Sequence, residues 1–242
     1  MKKQPTISST RPCGSSDRSR ASLAFAGTSF VVDLSGALWC PEIRTLAVAD
    51  LHFEKGSARA ARGIHLPPYD TRTTLQNLAD VIARYEPLRI IALGDSFHDV
   101  GGPERLDDAD RSAIRALVDR ADFYWVTGNH DPEIPAWIGG TVVSEVALGD
   151  LVFRHEPRAG AAAEVAGHLH PVASVNSRGR RLRCRCFVSD GQRLVMPAFG
   201  AYTGGLNVLS EAFESLFPAR EFKVWMIGRQ AIHRMPAKRL GW

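Results

Sequence analysis

A chain of 242 residues that is 45% hydrophobic with a net charge of +4 has the length and apolar content of one sizeable globular domain. No stretch approaches the roughly 18 uninterrupted apolar residues of a membrane helix, and the polar start MKKQPTISSTRPCGSSDRSR lacks the apolar segment of a signal peptide, so a cytoplasmic protein with no membrane partner is expected. The charge is local: five basic residues and one acidic residue fall in positions 1–20, leaving 25 of each sign elsewhere, which argues against strong binding of long duplexes by charge alone.

Positions 1–20, rich in Ser, Arg and Lys with little to bury, read as a disordered basic tail, and positions 21–242 as a single domain. SFVVDLSGALWC then reads as two short strands around Ser35 and Gly36, and RTLAVAD as a buried strand ending in an acid. From Thr71 to Tyr85, Leu75, Leu78, Ala79, Ile82 and Ala83 form a helical stripe that Pro87 closes. RIIALGD is a further buried strand, Asp107 to Arg120 a second helix with an acidic start, and FYWVTGN a third strand. That alternation implies parallel pairing.

The second half changes character. TVVSEVAL, LVFRH, EVAGH, PVASV, RRLRCRCFV and QRLVM are short strands, and KVWMIG with QAIHRM closes the chain as a hairpin. The expected fold class is therefore α/β, with two stacked mixed β-sheets flanked by helices. Cys13, Cys40, Cys184 and Cys186 match no disulfide framework and read as free thiols, the last two on a strand face shared with Leu182.

Polar residues collect where these strands end: Asp50 and His52 in ADLH, Asp95 and His98 in GDSFH, Asn129 and His130 in TGNHD, His155 in FRHEP, His168 and His170 in AGHLH. Six of the eight histidines lie in these clusters, and Gly94, Gly128 and Gly167 each precede a candidate ligand, as close backbone approach to an ion or phosphate requires. Asp50, His52, Asp95, Asn129, His155, His168 and His170 exceed the positions around one transition metal and suit two ions sharing a carboxylate, with Asp95 the natural bridge. Oxygen and nitrogen donors without thiolate favour Mn²⁺, Fe²⁺ or Zn²⁺.

In order, DxH, GD, GNHD, a lone His and GHxH resemble the calcineurin-like metallophosphoesterase superfamily, without a missing member between Asp50 and His170. The resemblance implies one metal on Asp50, His52, Asp95 and His170, and another on Asp95, Asn129, His155 and His168. It further implies that His130, adjacent to a ligand but free of metal, contacts the scissile phosphate and protonates the leaving oxygen, with Asp131 orienting its imidazole, while water activated by both ions attacks phosphorus. GDSFH is similar to repair nucleases of the SbcD type, which implies that His98 engages the substrate.

ADLHFEKGS, RGIHLPPYDTRTTL, AGHLHP and MPAFGAYTGGL resemble the bacterial ligase-associated DNA damage response endonuclease family, from about Leu34 to Leu209. That implies a phosphodiesterase, Mn²⁺-dependent, acting on single-stranded or locally unpaired DNA in repair, with an ATP-dependent DNA ligase, a helicase and an exonuclease as functional associates. Arg181, Arg183 and Arg185 alternate along one strand face, which suits a phosphate backbone or equally a solubilising strand edge, and Arg59 and Arg62 follow the first motif, so all five are candidate phosphate contacts. The alternative reading is a hydrolase of nucleotides or other small diphosphates.

Overall fold

The computed structural model describes residues 17–64, 69–177 and 179–241. The chain opens with β1 (Arg20–Phe25), β2 (Thr28–Asp33), β3 (Leu38–Cys40) and β4 (Thr45–Ala49), an antiparallel meander. Helices α1 (Lys55–Ala60) and α2 (Asp70–Tyr85) lead to β5 (Arg89–Leu93), and α3 (Gly102–Arg105) and α4 (Asp108–Val118) to β6 (Asp122–Val126), with β7 (Thr141–Val143) at the edge. From β4 to β7 all pairs are parallel, and the first sheet runs β1 to β7 in chain order.

The second sheet uses β8 (Glu145–Leu148), β9 (Leu151–Arg154), β10 (Glu164–Ala166), β11 (Val172–Ser177), β12 (Arg180–Ser189) and β13 (Arg193–Val195). After the short α5 (Glu211–Glu214), the hairpin of β14 (Lys223–Ile227) and β15 (Ile232–Pro236) completes it. Its order is β15-β14-β12-β13-β10-β9-β8, with β11 on the free half of β12 and parallel pairs only where β10 meets β9 and β13.

The central strands read as continuous apolar runs because both faces are covered. Ala47, Ala49, Ile91 and Leu93 join Phe153, Val165 and Phe187 between the sheets, while Leu46, Val48, Ile90 and Ala92 turn outward under Leu75, Leu78 and Ile82 of α2 and Ile114 of α4. A third cluster, including Val208, Phe213 and Phe217, covers the outer face of the second sheet. The expected architecture of two mixed sheets with helices outside is thus the observed one. Helix α2 ends as expected, with Glu86 in a left-handed conformation before Pro87, and the Asp107 side chain caps α4 by accepting from the Asp110 amide at 2.8 Å.

Two boundaries differ from the sequence reading. TVVSEVAL is two strands: the chain bends at Ser144, leaving β7 in the first sheet and sending β8 to β9 in the second. Positions 1–16 of the expected tail lie outside the described residues, but the last four of its twenty do not extend it. Arg20 begins β1, Leu34 donates to the Ser19 carbonyl at 2.9 Å, and Ile232 donates to that of Arg18 at 3.0 Å. Cys40 and Cys186 are buried free thiols and Cys184 is half-buried, whereas Cys13 lies outside the described residues. Among the described residues, no helix is long and apolar enough to cross a membrane.

Candidate metal centre

The C-terminal ends of parallel strands β4, β5 and β6 meet those of β9 and β10 along one edge of the sandwich. Pairing continues beyond the strands: His52 donates its amide to the Asp95 carbonyl at 2.9 Å and Phe53 to that of Ser96 at 2.8 Å. The segment after β13 crosses over the same edge, where Phe199 donates to the Ala49 carbonyl at 2.8 Å and Gly200 to that of Asp50 at 3.2 Å. Every one of the seven expected ligands is thereby delivered to one place.

They form two adjacent groups. In the first, His170 Nε2 lies 3.1 Å from Asp50 Oδ1 and 3.2 Å from His52 Nε2. In the second, His155 Nε2 lies 3.0 Å from Asn129 Oδ1, 3.1 Å from His168 Nδ1 and 3.3 Å from Asp95 Oδ1. Within each of the trios Asp50, His52, His170 and Asp95, His155, His168, one donor atom per residue lies within 4.8 Å of the others. Four imidazole nitrogens pointed at one another and at carboxylates make little sense as a hydrogen-bonded core, since each such nitrogen has one role as donor or acceptor. They make sense as divalent-ion ligands.

The backbone is bent to achieve this. Asp50, His52, Asp95, His168 and His170 all have positive φ, from 45° to 68°, a conformation costing about 1 kcal/mol or more each for residues with a Cβ. The preceding glycines fit tightly: a Cβ on Gly94 would collide with the His155 ring, one on Gly128 with Asp95, and one on Gly167 would lie 2.7 Å from Asp50 Oδ2. Side chains could not sit there without displacing the donors.

The electrostatics match a site built for cations. Burial opposes ionisation of Asp95, but the His155 contact outweighs it and holds the carboxyl down at about 2. Burial would likewise lower His155, yet Asp95 and Asp50 lift it to about 9, so in the ion-free protein a proton stands where positive charge is wanted. His52 is pushed down to about 2, chiefly by burial and then by His170 and Lys55. The buried Nδ1 of His52 has no partner among the described residues, and His155 Nδ1 donates to the Leu93 carbonyl at 2.9 Å, which turns its Nε2 to the donor cluster.

The remaining expected site residues divide. His130 donates through Nδ1 to the His98 carbonyl at 2.7 Å, and its Nε2 faces Asp95 Oδ2 at 3.9 Å, beside both groups but in neither. The His98 ring stacks on that of His130 at 5.5 Å, and burial, then Lys55, lower its pKa to about 4. Asp131 does not orient the His130 imidazole as expected. Its Oδ2 accepts from the amides of Ser96 at 2.6 Å and Phe97 at 3.0 Å, and its Oδ1 from Gly128 at 3.1 Å, so it braces the two loops that carry Asp95 and Asn129.

The arginine row also reads differently. The first half of β12 is exposed and its second half buried, so alternation does not give the three guanidinium groups one environment. Arg185 is enclosed and donates to the carbonyls of Ser35 at 2.8 Å, Ala198 at 3.0 Å and Leu34 at 3.4 Å; it fastens sheets together and is no phosphate contact. Arg183 holds the Gly205 carbonyl at 2.7 Å, and Arg181 lies out along the β11–β12 hairpin. Arg59 and Arg62 are exposed at the end of α1. A further residue, Lys55, stands in the ADLHFEKGS stretch without an expected role, and the structure buries it at the start of α1, three residues after His52.

Residues 43–188 match the family model for calcineurin-like phosphoesterase. No curated protein matches the chain. Among solved structures, the Pseudomonas putida nuclease MPE is 28% identical, with a TM-score of 0.71 over 89% of this chain and 100% of that one. The phosphoesterase Yfce from E. coli is 12% identical, with a TM-score of 0.41 over 80% of this chain and 98% of that one.

Proposed function

Because the chain belongs to the calcineurin-like phosphoesterase family and is accordingly a metal-dependent phosphoesterase, we propose that it is a dinuclear phosphodiesterase that cleaves DNA. The observation that carries this reading is the pair of donor groups side by side with the His130 Nε2 left free between them and solvent. Asp50, His52 and His170 would hold one divalent ion and Asn129, His155 and His168 the other, with Asp95 shared. Bound there, such ions supply Lewis acidity toward phosphoryl oxygens and make water acidic enough to act as a nucleophile near neutral pH. Mixed oxygen and nitrogen donors suit Mn²⁺, with Fe²⁺ or Zn²⁺ as competitors.

The protein's own part is positioning and proton transfer. The His98 carbonyl keeps the His130 proton on Nδ1, so that Nε2 must first take up a proton before it can protonate a departing alkoxide oxygen. Asp131 holds the Asp95 and Asn129 loops at fixed separation through three backbone amides, so the phosphate meets a preorganised site. Among the described residues the donor groups are carboxylates, imidazoles and the Asn129 amide oxygen, in keeping with direct hydrolysis by water.

A polynucleotide substrate is supported by the likeness to a nuclease at 28% identity, by exposed Arg59 and Arg62, and by Tyr202, 46% exposed on the segment that crosses the site edge. Single-stranded or unpaired DNA suits a body whose charges balance. A role in repair beside a ligase, a helicase and an exonuclease follows from the resemblance of the motifs. The deciding experiment is Mn²⁺-dependent hydrolysis of bis-(p-nitrophenyl) phosphate and of circular single-stranded DNA, with metal analysis. Cleavage of both is expected; cleavage of the small diester alone would move the substrate to nucleotides.

A further inference from the structure

Tyr202 is 46% exposed and has a φ of 58°, a left-handed conformation that is strained for a tyrosine and that concentrates at functional sites. It stands on an arch, residues 200–206, whose two ends are pinned to the backbone of the first donor group. At one end Gly200 donates to the Asp50 carbonyl at 3.2 Å, and a Cβ there would collide with the Leu51 carbonyl. At the other, a Cβ on Gly205 would collide with the His170 carbonyl, and the Leu206 carbonyl accepts from the Val172 amide at 2.9 Å. Arg183 fastens this second end by donating to the Gly205 carbonyl at 2.7 Å. Between them Ala201 donates to Thr74 Oγ1 of α2 at 3.0 Å, and the Thr203 hydroxyl donates to the Gly200 carbonyl at 3.0 Å.

Such anchoring fixes where Tyr202 lies. Two residues of chain span at most about 7 Å, so its backbone stays within that distance of Gly200 and its contact with Asp50. Among the described residues no aromatic ring or guanidinium packs against the Tyr202 ring. A strained, half-open ring beside a group that would grip phosphate offers its face to the next flat group of the substrate. We propose that Tyr202 is a stacking platform for a nucleobase adjoining the scissile phosphate, on the side of Asp50 and His170. Stacking reads no base edge, so the platform tolerates any sequence and favours unpaired strands, whose bases are free to turn out. This rests on the phosphodiesterase reading above, and it makes Tyr202 the residue that separates a strand bearing bases from bare sugar phosphate, a distinction that metal ions cannot draw.

The test measures, by fluorescence anisotropy, binding of a short fluorescein-labelled thymidine oligonucleotide and of an abasic tetrahydrofuran strand of equal length and charge, with Ca²⁺ replacing Mn²⁺ so that both strands stay whole. The wild-type protein should bind the thymidine strand about tenfold tighter, the range of one base–aromatic stack. Asn adopts the left-handed conformation readily, so Tyr202→Asn should melt no lower than the wild type. Its affinity for the thymidine strand should fall to that for the abasic strand, which should itself be unchanged. Tyr202→Phe and Tyr202→Trp should keep the preference. No preference in the wild type, a preference that survives Tyr202→Asn, or equal weakening of both strands in that variant would overturn the platform. Cleavage of single-stranded DNA by the wild type with Mn²⁺ is scored apart: no cleavage with the preference intact rejects the nuclease and keeps the platform, whereas cleavage without the preference keeps the nuclease and rejects the platform.

Discussion

The imidazole of His130 is held by its own neighbour in the second motif: Nδ1 donates to the main-chain carbonyl of His98 at 2.7 Å, and Nε2 is left toward Asp95 Oδ2 at 3.9 Å. A backbone carbonyl only accepts, so the tautomer is set by the fold. Replacing His130 with Ala should lower kcat on bis-(p-nitrophenyl) phosphate by about 10²-fold or more, the usual worth of a positioned proton donor, while both ions stay bound. Elemental analysis beside the kinetics checks it; loss of metal together with activity would make His130 a ligand.

Asp131 leads to a different expectation from the one its place beside His130 suggests. Its carboxylate receives three backbone amides, and burial, aided by Asp95 and opposed by those amides, lifts its pKa to about 6. Asp131→Asn puts an amide donor against amide donors and should cost about 1–3 kcal/mol of stability. Chemical denaturation measures this. Unchanged stability with an altered pH–rate profile would restore the role of imidazole partner.

Arg185 is expected to matter to folding and not to substrate. Arg185→Met removes donors from three part-buried carbonyls, those of Leu34, Ser35 and Ala198, and should destabilise by about 1–3 kcal/mol. The salt dependence of DNA binding should stay as in the wild type. A flatter salt slope without loss of thermal stability would return Arg185 to the phosphate contacts.

Chelation should expose the protons that stand in for metal. His155, raised from 6.5 to about 9, contributes stability that is complete below pH 6.5 and lost as pH rises through about 9. His52, lowered to about 2, works in the other direction, because the unfolded chain binds the proton more readily below pH 6.5. The melting temperature of the chelated protein should therefore peak near pH 6.5, and its alkaline decline should disappear when Mn²⁺ is saturating. A flat profile from pH 6.5 to 9 without metal would rule this out.

Much of this was legible in the chain because its signals are local. Continuous apolar runs such as Leu46–Ala49 and Ile90–Leu93 mark strands covered on both faces, and the polar residue after each run marks a strand end, where parallel strands bring ligands together. The three glycines before ligands were readable for the same reason, since lack of a Cβ is a property of the residue itself. The positive φ of five ligand positions was not, because no residue type there announces it.

What spacing could not decide was partnership. Asp131 adjoins His130 yet braces Ser96, Phe97 and Gly128, and Arg181, Arg183 and Arg185 share a strand face but not an environment. Lys55 looks like any helix-opening lysine in sequence, yet the fold buries it at the start of α1. The sequence by itself determined which groups could bind metal and where the chain would turn to offer them. Only the tertiary structure decided which carbonyl, amide or empty space each side chain meets, because those partners come from segments distant in the chain, and their distances follow from how two sheets pack.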